Sequence, residues 1–143
     1  VKALVVRRPW VELITSGVKD VENRGRYTAY RGPLLVVGGL VWDPYGLEYA
    51  AQLGVDISPN PDDHPTGAVA VVNLYDVCNL RDVPYVCLCR SQWAQAGQHH
   101  WRLTDPRRLT EPIPVRGMPG MFTPPADVTA AVLAQLELEG LSR

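Results

Sequence analysis

Gly17-Val18-Lys19-Asp20-Val21-Glu22-Asn23-Arg24, running on through Gly25-Arg26-Tyr27-Thr28-Ala29-Tyr30-Arg31-Gly32, is the stretch on which the reading of this chain turns. An apolar helical segment stops at Gly17, and the residues after it have the pattern of a strand. On an extended chain alternate residues share a face, so Glu22, Arg24 and Arg26 are expected on one side. A carboxylate two residues from a guanidinium can hold it in a fixed orientation by charge-assisted hydrogen bonds. On an open surface such pairs are worth only ~0–1 kcal/mol each. Lining a cleft, they would be a site. Lys19 can join Glu22 only if it lies in the turn leaving Gly17, before the strand begins.

The rest of the chain narrows the class. Its 143 residues suit one domain over 1–143, and 46% hydrophobic with 20% charged residues is an ordinary globular balance. No run of ~18 apolar residues is present, so no membrane span is expected. Arg7-Arg8-Pro9 interrupts the apolar N-terminus too early for a secretory leader. Cys78, Cys87 and Cys89 are odd in number and lack Cys-x-x-Cys spacing. They read as small buried hydrophobes in a reducing cytoplasm, with neither a disulfide framework nor a zinc site. The His99-His100 pair would point to opposite faces of a strand, so no metal and no cofactor is expected.

Net charge is −1, which argues against a general nucleic-acid coat, but the charge is uneven. Residues 1–31 carry seven Lys/Arg against three acids, and residues 32–63 carry five acids with no Lys or Arg. A local basic segment can focus an anionic ligand on one site.

Outward from the central stretch, Lys2 to Arg7 is a short apolar strand, and Pro9 with Trp10 to Ser16 a helix showing Trp10, Leu13 and Ile14 on one face. Pro33 to Gly39 reads as a buried strand ending at a glycine pair. Asp43 caps a helix that starts at Pro44 and reaches Leu53, where Gly54 ends it. Asp56 to Pro65 is a loop. Gly67 to Val77 is the strongest strand, with Val5, Leu35, Val37, Val69 and Val71 expected in one core. Asn79 to Ser91 is ambiguous, Val86 to Cys89 fitting either a strand or a short helix. Gln98 to Leu103 is a short strand, and Thr110 to Gly117, with two prolines, an edge strand. A glycine-punctuated turn at Met118 to Phe122 leads to a last short strand. Asp127 to Glu139 closes the chain as an amphipathic helix packing Val128, Val132, Leu133 and Leu136. Together these describe one α+β domain on a curled or barrel-like sheet. No phosphate-binding glycine loop, G-x-S-x-G elbow or His-Glu-x-x-His is present.

Arg8-Pro9-Trp10, Gly17-x-Lys19-x-x-Glu22-x-Arg24 and Tyr30-Arg31-Gly32-Pro33 resemble the ASCH domain of the PUA-like superfamily. Gly67-Ala68-Val69, Gly97-Gln98-x-x-Trp101-x-Leu103 and Leu109-x-x-Pro112-x-Pro114-x-x-Gly117 resemble it in the same order, over roughly residues 2–123. The resemblance implies a barrel-like mixed sheet of five to six strands with flanking helices, and a cleft lined by the Lys, Glu and Arg. Relatives bind RNA, read a modified base, cut RNA, or hydrolyse N4-acetylcytidine. Lys19 matches the lysine of the small amidohydrolases, whereas Glu22 falls where they have threonine. Arg8 stands where many relatives have glutamine, and Gly38-Gly39 replace a His-Ala or His-Ser pair, which removes one candidate general acid or base.

Two functions are open to such a domain. In a binding protein, Arg8, Lys19, Arg24, Arg26 and Arg31 would meet the phosphates of single-stranded RNA, or hold a modified nucleoside, while Trp10, Tyr27 or Tyr30 stacks on a base. In a hydrolase, Lys19 would act as nucleophile or base, Glu22 would relay the proton and Arg24 would steady an oxyanion.

Overall fold

The computed structural model describes residues 1–82 and 87–141. Its elements are β1 (Lys2–Arg8), α1 (Trp10–Thr15), β2 (Val21–Arg24), β3 (Gly32–Trp42), α2 (Pro44–Gln52), β4 (Gly67–Cys78), β5 (His99–Ile113), β6 (Met121–Phe122) and α3 (Ala126–Leu141). The strands form one mixed sheet in the order β2-β5-β4-β3-β1-β6. β1 and β3 pair in parallel and the other neighbours are antiparallel. This is the expected α+β architecture. The sheet is curled but not closed into a barrel, since no backbone ladder joins its β2 and β6 edges.

Alternation along the strands divides the interior into two cores. Leu4, Val6, Leu34, Val36, Val69, Val72 and Leu74 face α1, which contributes Val11 and Ile14. Ala3, Leu35, Val37 and Ala68 face α3, which contributes Val128 and Val132. The single core expected from the sequence is therefore wrong: Val69 lies on the α1 side, whereas Val5, Leu35, Val37 and Val71 pack on the α3 side. Leu133 is exposed, and the packed stripe of α3 is Val128, Val132 and Leu136, one residue every four. A third cluster of Leu13, Ala50 and Trp93 fastens α2 and the β4–β5 connection to α1.

Local chemistry explains the boundaries. Gly17 ends α1 at φ 83°. Asp43 caps α2, its Oδ1 accepting from the Tyr45 amide at 3.0 Å, with Pro44 at the first position. β3 continues through Gly38-Gly39 to Trp42 instead of stopping there. A Cβ at Gly38 would sit 2.6 Å from the Pro65 carbonyl oxygen, so the glycine admits a neighbouring backbone. The segments read as separate strands, 98–103 and 110–117, meet in one strand, β5, which runs from His99 to Ile113 and is bent by register shifts against β4, so the expected edge strand stops short of 114–117. The strand expected to continue past Arg24 instead ends there. Of the ambiguous 79–91 segment, Val86 lies outside the described residues, and Cys87 to Arg90 are neither strand nor helix.

Candidate functional site

Edge strand β2 and strand β1 are separated in the sheet by β5, β4 and β3, yet the curl brings them face to face. The gap is bridged by a side chain. Arg24 Nη2 donates to the Val5 carbonyl at 2.8 Å and to Glu22 Oε2 at 3.0 Å, and Nε donates to the same carboxylate oxygen at 3.2 Å. Glu22 and Arg24 share a face because they are two apart on β2, as alternation requires. Lys19 precedes the strand, so alternation does not bind it. Its Nζ donates to Glu22 Oε1 at 3.1 Å and to the Val21 carbonyl at 2.7 Å, and lies 5.4 Å from the centre of the Trp10 ring.

These groups are well buried: Lys19 is 3% exposed and Glu22 8%. Burial alone would raise the Glu22 pKa, but the charges and hydrogen bonds of Lys19 and Arg24 outweigh it and hold the carboxyl below its usual value. Glu22 is thus an anion between two cations.

The network forms part of the wall of a cleft of about 1390 Å³. Of the residues proposed from sequence, Trp10, Lys19, Glu22 and Arg24 line it. Arg8, Arg26, Tyr27, Tyr30 and Arg31 do not. Arg8 donates to four backbone carbonyls, those of Gly39, Leu40, Pro61 and His64, at 2.9 to 3.1 Å. Its charge fastens the loop before β4 onto β3. Arg31 donates to the Thr28 and Tyr30 carbonyls and lies over the Tyr27 ring. The Tyr30 hydroxyl is taken by the Pro33 carbonyl. Arg26 is exposed beyond the end of β2, and its carbonyl accepts from Trp101 Nε1 at 3.1 Å. Trp42, at the end of β3, packs edge-on against His64 and does not line the cleft.

Sequence reasoning missed Arg7, Tyr45, Gln95 and Arg116, which also line the cleft. Arg7 is exposed while its neighbour Arg8 is tied down, which alternation on β1 accounts for. Asp43 Oδ2 accepts from Trp10 Nε1 at 2.8 Å, and Tyr45 tilts against the Trp10 ring with centroids 6.1 Å apart. Tyr45 is 48% exposed, so its ring remains available to a ligand. Gln95 is held by Asn23, whose Oδ1 accepts from the Gln95 amide and whose Nδ2 donates to the Trp93 carbonyl. The cleft therefore combines Arg7, Lys19, Arg24 and Arg116 with the acids Glu22 and Asp43. The basic and acidic segments of the sequence meet in one wall.

Away from the cleft, Cys78, Cys87, Cys89 and His100 converge, their Sγ and ring-nitrogen atoms all within 4.8 Å of one another. The reading of all three cysteines as buried hydrophobes holds only for Cys78; Cys87 is exposed and Cys89 half-buried. Burial raises the Cys87 pKa, but hydrogen bonds from Cys89 and His100 outweigh it and bring the thiol down to about 6. Ser91 and Tyr49 further tie the β4–β5 connection to the body through Asp20 and the Gln92 carbonyl.

Among the described residues, no helix is long and apolar enough to cross a membrane. No family model matches the chain. Among curated proteins it is similar to human activating signal cointegrator 1, at 25% identity over 140 residues. The match covers 83% of this chain but 21% of the relative, so the chain spans about a fifth of that protein's length. The relation between the two is distant.

Proposed function

We propose that the chain is an ASCH-type nucleic-acid-binding domain that takes a single-stranded segment, RNA in the first instance, into the cleft between β1 and β2. The observation carrying this reading is the Arg24 bridge. A guanidinium fixed by Glu22 and the Val5 carbonyl presents its remaining Nη1 edge without a protein partner among the described residues. Phosphate and base edges are both bound well by such a prealigned donor. Arg7 and Arg116 add exposed charge, and Tyr45 beside Trp10 supplies a stacking platform. A volume of about 1390 Å³ exceeds the ~300–1,000 Å³ usual for small-molecule sites, which favours a polymer segment over a free nucleoside. The distant relation to activating signal cointegrator 1 supports the reading at the level of family.

The hydrolase alternative fares less well on chemistry. A lysine nucleophile or base must reach its substrate, yet Lys19 is 3% exposed and its Nζ is engaged by the Glu22 carboxylate and the Val21 carbonyl. Glu22, held as an anion by two cations, is a poor proton relay. Fluorescence anisotropy with labelled single-stranded RNA, single-stranded DNA and an RNA duplex of equal length tests the binding reading. Tighter binding of the single strands, weakening with salt, is expected. Equal affinity for the duplex, or release of cytidine from N4-acetylcytidine by the wild type but not by Lys19→Ala, would overturn it.

A further inference from the structure

We propose that Cys78, Cys87, Cys89 and His100 form a zinc site that anchors the β4–β5 connection to the sheet. Three separate segments build it. Cys78 ends β4 and His100 stands directly opposite it on β5, so their side chains project from the same face of the sheet. Cys87 and Cys89 come from the connection between those strands. With Leu88 between them turned out to solvent at 67% exposure, both sulfurs face His100.

The distances fit a tetrahedral ion. Zinc bonds of ~2.3 Å to sulfur and ~2.0–2.1 Å to nitrogen place sulfurs ~3.8 Å apart and sulfur ~3.5 Å from nitrogen. Here Cys87 and Cys89 are 3.2 Å apart, and their sulfurs lie 3.2 and 3.7 Å from His100 Nδ1. Among these three donors an ion at the centre needs shifts of up to about 0.6 Å, and Cys78 Sγ lies within 4.8 Å of each of them. The histidine is already oriented for the purpose. Its Nε2 lies 2.7 Å from the Gln95 carbonyl, which fixes the proton there and turns the Nδ1 lone pair to the sulfurs. Three thiols and one imidazole make a closed structural set with no position left for water or substrate. On binding, each thiol gives its proton to solvent.

A small chain gains much from such a tie. The connection carries Gln95, a residue of the cleft wall, and His100 holds the Gln95 carbonyl. The metal would thus stiffen one side of the cleft without touching a ligand there. His99 takes no part: its Nδ1 accepts from the Leu80 amide at 2.9 Å and its ring meets Tyr27. The adjacent histidines divide between the two faces of β5, one for the turn and one for the cluster.

The test is metal content of the untagged chain, purified under reducing conditions after growth with zinc. About one zinc per chain by elemental analysis is expected, with the thiols slow toward a thiol reagent until a chelator is added. Cobalt substituted for zinc should give the intense visible bands and thiolate charge-transfer absorption of a tetrahedral sulfur-rich site. Cys87→Ser at an exposed position and Cys89→Ser at a half-buried one are near-isosteric and should fold, each losing more zinc affinity than the ~10–100-fold typical of an outer-shell partner. Chelation should also speed proteolysis between β4 and β5. Zinc no higher than in the Cys87→Ser/Cys89→Ser double variant, an octahedral cobalt spectrum, or a Cys87–Cys89 disulfide in place of metal would overturn the proposal.

Discussion

Two polar clusters sit on this sheet, and they are assembled in opposite ways. Lys19, Glu22 and Arg24 lie within six residues, are buried or half-buried, and satisfy one another: each cation donates to the one carboxylate. Cys78, Cys87, Cys89 and His100 come from three segments across 23 positions and include an exposed thiol. Among the described residues, the first cluster is completed by protein groups except at the Nη1 edge of Arg24. The second brings together four donors of one geometry whose natural partner is an ion. Self-sufficiency in the first implies a large penalty for any broken link, and the second implies little penalty until metal is added.

Removing the shared carboxylate should have the largest effect. Glu22→Gln leaves Lys19 buried without its counter-ion, and breaking a buried pair costs about 3–5 kcal/mol. Urea denaturation measures the loss, and a change below ~1 kcal/mol would mean that solvent reaches Lys19. Acid tests the same link. The Glu22 pKa lies below the usual 4.5, so its contribution is present above that value and is lost as pH falls through the lower folded value. Unfolding followed against pH should therefore show an acid limb below 4.5 that is flattened in Glu22→Gln.

Next in size is the aromatic wall. Tyr45→Ala should weaken single-stranded RNA by ~1–3 kcal/mol, the usual worth of a base–aromatic stack, while stability moves by less than ~0.5 kcal/mol at so exposed a position. Comparable losses in both would make Tyr45 a packing residue. The smallest effect belongs to the second cluster: with chelator present, Cys87→Ser should change stability by no more than ~0.5 kcal/mol. The same variant should lose most of the stabilisation that zinc gives the wild type, measured as the shift in Tm on adding metal.

The contrast also marks what the sequence could tell. Glu22 and Arg24 were legible because strand alternation is a local rule, and the Asp43-Pro44 start of α2 because capping is local too. Arg8 was misjudged since charge alone does not reveal four carbonyls supplied by β3 and the loop before β4. Tyr27, Tyr30 and Arg31 looked like a continuation of the site, but the chain leaves the strand at Arg24 and their polar atoms are spent on that turn. The thiol–imidazole cluster was invisible because its spacing exists only in space: Cys78 and His100 are brought opposite by the β4–β5 register. Val5 and Val69 fall on different faces for the same reason, since register between strands decides which alternation meets which core.

Binding in the cleft is the central claim, and Arg24 tests it most directly. Labelled single-stranded RNA is titrated at several salt concentrations against the wild type, Arg24→Ala and Arg31→Ala. Arg7, Arg24 and Arg116 meeting three phosphates should give a log–log salt slope of roughly −2, at ~0.7 per phosphate. Arg24→Ala should lower affinity and reduce that slope by ~0.7, while Arg31→Ala, outside the cleft, should leave both close to wild type. A flat salt response, or equal losses for the two arginines, would contradict binding between β1 and β2.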